Sequence, residues 1–163
     1  MITYYKVIQN ALQIYYQRDK YAYFYAAKGQ ILTDPLMDAL IACEPEYWKR
    51  YSPDKILEIK DFSRGRVGLD CSGFINACTG QEKYSTAYYL DTLNKTTPAL
   101  GTEGNLLYTT HGGRGRHVGL DIGYGYYLSF EKEMQSCTFG KISAYRWEHS
   151  GQLRDVDYTG AKN

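Results

Sequence analysis

The sequence predicts an α+β fold in which helices come first and a central antiparallel sheet follows. Helix-forming stretches fill the chain as far as residue 93, while from Asn105 onward short apolar runs alternate with polar residues and glycine turns. A hairpin whose register follows from its side chains is the third sign.

From Thr3 to about Arg18 the apolar residues Val7, Ile8, Leu12 and Ile14 recur without glycine or proline, which predicts an amphipathic helix. The run Tyr21 to Ala27 leads to Gly29, where a turn is expected. Between Thr33 and Asp61, Pro35, Pro45 and Pro53 cut the chain into short pieces, with helices expected from Leu36 to Cys43 and around Glu46 to Tyr51. The stretch at about 33–62 reads as a helical insertion in a single domain spanning 1–163. Ser63 to Gly68 reads as a flexible basic approach to a short helix that opens at Asp70-Cys71 and is ended by Gly80. A helix is expected from Ser85 to Leu93, and a strand over Asn105 to Thr109.

The hairpin joins His117–Ile122 to Tyr126–Glu131 through Gly123-Tyr124-Gly125. A three-residue turn centred on Tyr124 pairs Val118 with Phe130, Leu120 with Leu128 and Ile122 with Tyr126, so the apolar side chains share one face. His117, Gly119 and Asp121 then share the other face with Glu131, Ser129 and Tyr127, which makes His117 and Glu131 neighbours. A last strand is expected over Lys141 to Trp147, before a polar tail.

Composition excludes several classes of function. Nineteen basic and eighteen acidic residues leave a formal charge of +1, so no global field draws the chain to nucleic acid or an anionic membrane. No apolar run approaches the ~20 residues that span a bilayer, and the first residues lack the pattern of a signal peptide. The four cysteines form no Cys-x-x-Cys pair, which argues against a disulfide scaffold or a zinc site. Gly112-Gly113-Arg114-Gly115-Arg116 lacks the Gly-Lys-Ser/Thr of a phosphate loop. Eighteen tyrosines are the outstanding excess, each with an apolar face and a polar tip suited to a groove.

Cys71 carries the first chemical signal. It stands at the start of a predicted helix with Asp70 as N-cap, where unpaired backbone N–H groups and the positive dipole end favour a thiolate. The same donors, including that of Ser72, can hold an oxyanion, and Gly73 leaves room for a substrate backbone. A nucleophilic thiol needs an imidazole, and among His111, His117 and His149 the best placed is His117, which begins a strand and points to its polar side.

Leu69-Asp70-Cys71-Ser72-Gly73-Phe74-Ile75, followed by His117-Val118-Gly119-Leu120-Asp121-Ile122-Gly123-Tyr124-Gly125, resembles the paired Asp-Cys-Ser-Gly and His-Val-Gly signatures of the NlpC-type cell-wall peptidases. Tyr21 to Gly29 is similar to that family's Tyr-Val-Tyr-Gly-Gly segment, which makes Tyr23 the tyrosine beside the cysteine, and Gly104 to Tyr108 resembles its Gly-Asp-Leu segment. The resemblance implies a papain-like domain that hydrolyses amide bonds of peptidoglycan stem peptides through a thioester on Cys71. His117 is then the base, Tyr23 and the Ser72 backbone stabilise the oxyanion, and no metal or organic cofactor is needed.

The family's third polar residue lies twelve positions after the histidine, which here is Ser129; the strand register offers Glu131 instead, a better partner for an imidazolium. The expected setting is synthesis in the cytoplasm and action at the bacterial wall after lysis or delivery, as a phage lysin or secreted effector, with any delivery or immunity partner unspecified. The rival readings are a papain-like amidase or acyltransferase with another substrate, and a non-catalytic module that keeps the groove.

Overall fold

The structure is a computed structural model that describes residues 1–82, 91–111 and 114–162. A short strand β1 (Ile2–Thr3) leads into helix α1 (Tyr4–Tyr16), whose first turn is closed by the Thr3 side chain accepting from the Lys6 N–H. Val7, Ile8, Ala11 and Ile14 are its buried stripe, the spacing of one helix face.

The expected turn at Gly29 is displaced. The chain forms β2 (Tyr21–Tyr23) and β3 (Lys28–Ile31), and both pair with β4 (Val67–Leu69), in the order β2-β4-β3. The turn falls between β2 and β3, where Ala26 takes φ 67°, and Gly29 lies inside β3. The supposed flexible approach to Cys71 is therefore β4, a central strand. A Cβ on its Gly68 would meet the Leu32 side chain at 2.8 Å and Ala27 Cβ at 2.9 Å, so close packing here required glycine.

Residues 34–63 hold α2 (Asp34–Cys43), α3 (Pro45–Trp48) and α4 (Pro53–Ser63). The second is shorter than expected, and the third corrects the reading of Pro53 as a break. Ser52 caps α4 by accepting from the Lys55 N–H, and Pro53 occupies the first turn, where its missing N–H costs nothing. These helices enclose their own apolar cluster of Phe24, Leu32, Met37, Trp48 and Ile59.

Helix α5 (Cys71–Thr79) starts and stops where the sequence says, with Asp70 accepting from the Gly73 N–H at 2.7 Å and Gly80 closing it at φ 70°. The expected helix from Ser85 to Leu93 lies mostly outside the described residues, and Leu93 itself begins a strand.

The remaining strands are β5 (Leu93–Thr96), β6 (Leu106–His111), β7 (Arg114–Gly123), β8 (Tyr126–Phe130), β9 (Cys137–Lys141) and β10 (His149–Gln152). They form one antiparallel sheet in the order β5-β10-β6-β7-β8-β9. The hairpin pairs Leu120 with Leu128 as expected, but a bulge places Gly123, not Ile122, opposite Tyr126. Gly123, Tyr124 and Gly125 all have positive φ, at 90°, 57° and 80°.

The expected strand from Lys141 to Trp147 is also corrected: the strand ends at Lys141, and a 3₁₀ turn over Ile142–Ala144 follows. The polar tail supplies β10 and β11 (Val156–Asp157), the latter parallel to β1. Helices α1 and α5 cover one face of the sheet over a core that includes Phe74, Val118, Leu120, Leu128 and Phe130. Leu107, Tyr127, Ile142 and Trp147 pack together on the opposite face.

Candidate active site

The start of α5 is built as a charged knot. Lys28 Nζ reaches both Asp70 carboxylate oxygens at 2.6 Å and the Ser72 hydroxyl at 2.6 Å, while that hydroxyl donates to Asp70 Oδ1 at 3.1 Å. Strand β3 is thus fastened to the first turn of α5. Gly73 is packed beneath it: a Cβ there would meet the Ala27 carbonyl oxygen at 2.8 Å.

Cys71 is half-buried against the main core. Burial first, then the negative Asp70 beside it, push its thiol up to about 11; the backbone N–H groups of Val118 and Ser72 and the Lys28 charge pull the other way. The helix start alone suggested a low thiol pKa, and the structure reverses that. In the resting protein the proton stays on sulfur.

The Val118 amide is the important neighbour, because it belongs to β7 and is joined directly to His117. Val118 points its side chain into the core, so His117 faces the opposite side of the sheet. Its ring stacks on Trp147 with centroids 5.4 Å apart at 11°, and Tyr145 closes in at 5.9 Å. Burial, followed by the positive Arg146 and Arg116, holds its pKa down to about 4. A neutral imidazole at neutral pH is the form that accepts a proton. Removing a positive neighbour must ease protonation, so an NMR titration of His117 is expected to show a midpoint near 4 that moves upward in Arg146→Gln. An unmoved midpoint would refute the electrostatic account.

Ser129 and Glu131 stand with Tyr127 on the polar face expected of them. Ser129 is fully buried and its hydroxyl donates to Glu131 Oε1 at 2.9 Å; the Tyr127 hydroxyl donates to the same oxygen at 3.1 Å. Glu131 lies beyond the end of β8, and His117 is absent from the β7–β8 ladder pairs. The buried Nε2 of His117 has no hydrogen-bond partner among the described residues.

Tyr23 borders Cys71 from β2. Its hydroxyl is driven far above the ordinary phenol range, by burial and then by Tyr47, Cys71, Glu133 and Asp70 nearby. Its backbone N–H donates to the Gln135 carbonyl at 2.8 Å. Behind it lies a cluster that sequence reasoning missed. Glu133 is buried and accepts from the hydroxyls of Tyr47 and, at 2.6 Å, Tyr51. Tyr47 also stacks on Tyr25 at 3.7 Å and 9°.

The tyrosine excess therefore has an address. Tyr23, Tyr25, Tyr47 and Tyr51 gather on the cysteine side, and Tyr127 and Tyr145 pack with Trp147 on the histidine side. Lys28, Glu133 and Trp147 are further residues of this region that no local motif marks. Among the described residues no group of three or more His, Cys, Asp or Glu side chains could hold a metal ion, and no helix is long and apolar enough to cross a membrane.

A protonated thiol on a helix start, beside a strand that carries a neutral imidazole, with amides and a phenol around the sulfur, can perform nucleophilic acyl chemistry. No family model matches the chain, and no curated protein matches it. Among solved structures it is similar to the crystal structure of the NlpC/p60 domain of the peptidoglycan hydrolase SagA, with a TM-score of 0.58 and 16% identity, over 93% of this chain and 100% of that one. By its sheet, its helices and this likeness, the chain has the α+β fold of an NlpC/p60 domain.

Proposed function

We propose that the protein is a cysteine amidohydrolase acting on the stem peptides of bacterial peptidoglycan. The observation that carries this reading is the Val118 amide beside the Cys71 sulfur, which brings the residue next to His117 up to the nucleophile. The likeness to a peptidoglycan hydrolase domain supports the choice of substrate class.

This reading requires the His117 ring, which stacks on Trp147 on the opposite side of the sheet in the free protein, to turn toward the sulfur; Cys71 Sγ then attacks the amide carbonyl carbon as its proton passes to that neutral ring. The tetrahedral oxyanion is held by the Ser72 N–H and Tyr23. On collapse the carbon–nitrogen bond breaks, the imidazolium returns its proton to the leaving amine, and a thioester remains. Water, deprotonated by His117, then releases the acid and restores the thiol. Because the resting thiol and imidazole are both neutral, proton transfer accompanies attack rather than preceding it. Stacking on Trp147 orients the ring in the free protein. Glu131, assembled with Ser129 and Tyr127 on the same side of the sheet, is the carboxylate available to the imidazolium once it forms. A setting at the cell wall, reached by lysis or delivery as a lysin or effector, belongs to the same proposal.

Purified peptidoglycan digested with the wild type and with Cys71→Ala, followed by mass analysis of released peptides, tests it. New peptide termini are expected from the wild type and none from Cys71→Ala. An unaltered wall after wild-type treatment, or the same products from both proteins, would overturn the reading.

A further inference from the structure

We propose that a cavity on the face of the sheet opposite Cys71, bordered by the aromatic rings that pack on His117, binds a saccharide. It encloses about 690 Å³, within the range of small-molecule sites, and lies between the Gly123–Gly125 turn, the Pro98 segment and the aromatic pair Tyr145 and Trp147. The inference is independent of the chemistry at Cys71.

The wall combines three kinds of group. Tyr145 and Trp147, with centroids 4.5 Å apart at 40°, supply aromatic surface. Asp121 and Glu103 supply carboxylates. Asp121 is only 5% exposed, with Oδ1 accepting from the Gly123 N–H at 2.8 Å. A carboxylate oxygen of Glu103 lies 3.0 Å from where a Gly123 Cβ would stand, so glycine there lets the acid close over the turn. Burial, reinforced by Glu103 and opposed by the Gly123 N–H, raises the Asp121 carboxyl to about 6. Lys162 supplies the third kind, an ammonium donor, while Trp147, 8% exposed with its indole N–H sealed from solvent and without a partner among the described residues, contributes its ring.

These groups discriminate between ligand classes. An ammonium group only donates, so it would pair with the acids but meet the like charge of Lys162. An anion would take the Lys162 ammonium but meet two carboxylates. Lys162, which also lines the cavity, offsets one of the two acidic charges and weakens the case for a cation further. A hydroxyl both donates and accepts, and a pyranose ring adds a carbon face that packs on aromatic rings. A neutral sugar satisfies all three demands.

The test uses ¹⁵N-labelled Cys71→Ala protein, so that loss of the cleavage reading leaves the result intact, and the reverse. The chain has two tryptophans, and the Trp48 indole N–H, also buried without a partner but in the helices of residues 34–63, is an internal reference. Tri-N-acetylchitotriose and maltotriose are titrated, with the two indole signals assigned through Trp48→Phe. A saturable shift of the Trp147 signal with either sugar, the Trp48 signal staying put, is expected. Glu103→Gln and Asp121→Asn should each weaken that binding by about tenfold. The proposal is overturned if neither sugar moves the Trp147 signal, if both variants bind as the parent does, or if cadaverine moves it while the sugars do not.

Discussion

Asp70→Ala is expected to weaken the fold by about 2–3 kcal/mol while making the Cys71 thiol more acidic. The stability loss has two sources. The Gly73 N–H loses the carboxylate that caps α5, and Lys28 loses a two-oxygen ion pair whose carboxylate partner is 12% exposed. The Lys28 side chain is 38% exposed, so water recovers part of its solvation and keeps the figure toward the low end. The change in acidity has the opposite sign to what a lost helix cap suggests. After burial, Asp70 is the strongest influence holding the thiol up at about 11, and its removal also leaves Lys28 unneutralised. Urea denaturation reads the first effect, and the pH dependence of iodoacetamide alkylation reads the second. Asp70→Asn separates them, since Asn still caps the helix but carries no charge. An alkylation midpoint that stays near 11 or rises in both variants would refute the assignment.

Glu133→Ala is expected to cost about 2–4 kcal/mol, because two phenols lose a buried charged acceptor at once. Tyr47 and Tyr51 come from α3 and the residues just after it, whereas Glu133 follows β8, so this carboxylate ties the helices of residues 34–63 to the sheet. Tyr51→Phe removes one bond and should cost about half as much. Loss of the tie should also expose the chain around residues 44–52 to limited proteolysis. A Glu133→Ala protein within about 0.5 kcal/mol of the parent, with an unchanged cleavage pattern, would show that the cluster is incidental.

What the sequence disclosed was local. The cap and stop of α5 lie within ten residues, and the hairpin's alternation names its own register, so both were readable. The fastenings of the site were not: Lys28 meets Asp70 across 42 positions, and Tyr47 meets Glu133 across 86. Strand β10 was hidden for another reason. His149-Ser150-Gly151-Gln152 has no apolar alternation, yet Ser150 and Gly151 are buried between β5 and β6. A Cβ on Gly151 would lie 2.3 Å from Thr92 Oγ1, and one on Gly101 2.5 Å from Ser150 Oγ, so smallness rather than hydrophobicity selects these residues. Helix α4 was legible but misread: Ser52-Pro53 is a helix start.

The sheet order has a consequence for biosynthesis. Residues 149–152 form the strand that bridges β5 and β6, and residues 156–157 pair with residues 2–3. Cys71 and His117 therefore emerge from the ribosome well before the segments that complete the sheet beneath them. Pairing across such long separations is a late event in folding. A nascent chain stalled short of residue 149 holds both side chains without the scaffold that sets them, which delays any activity built on them until translation has passed the last strands.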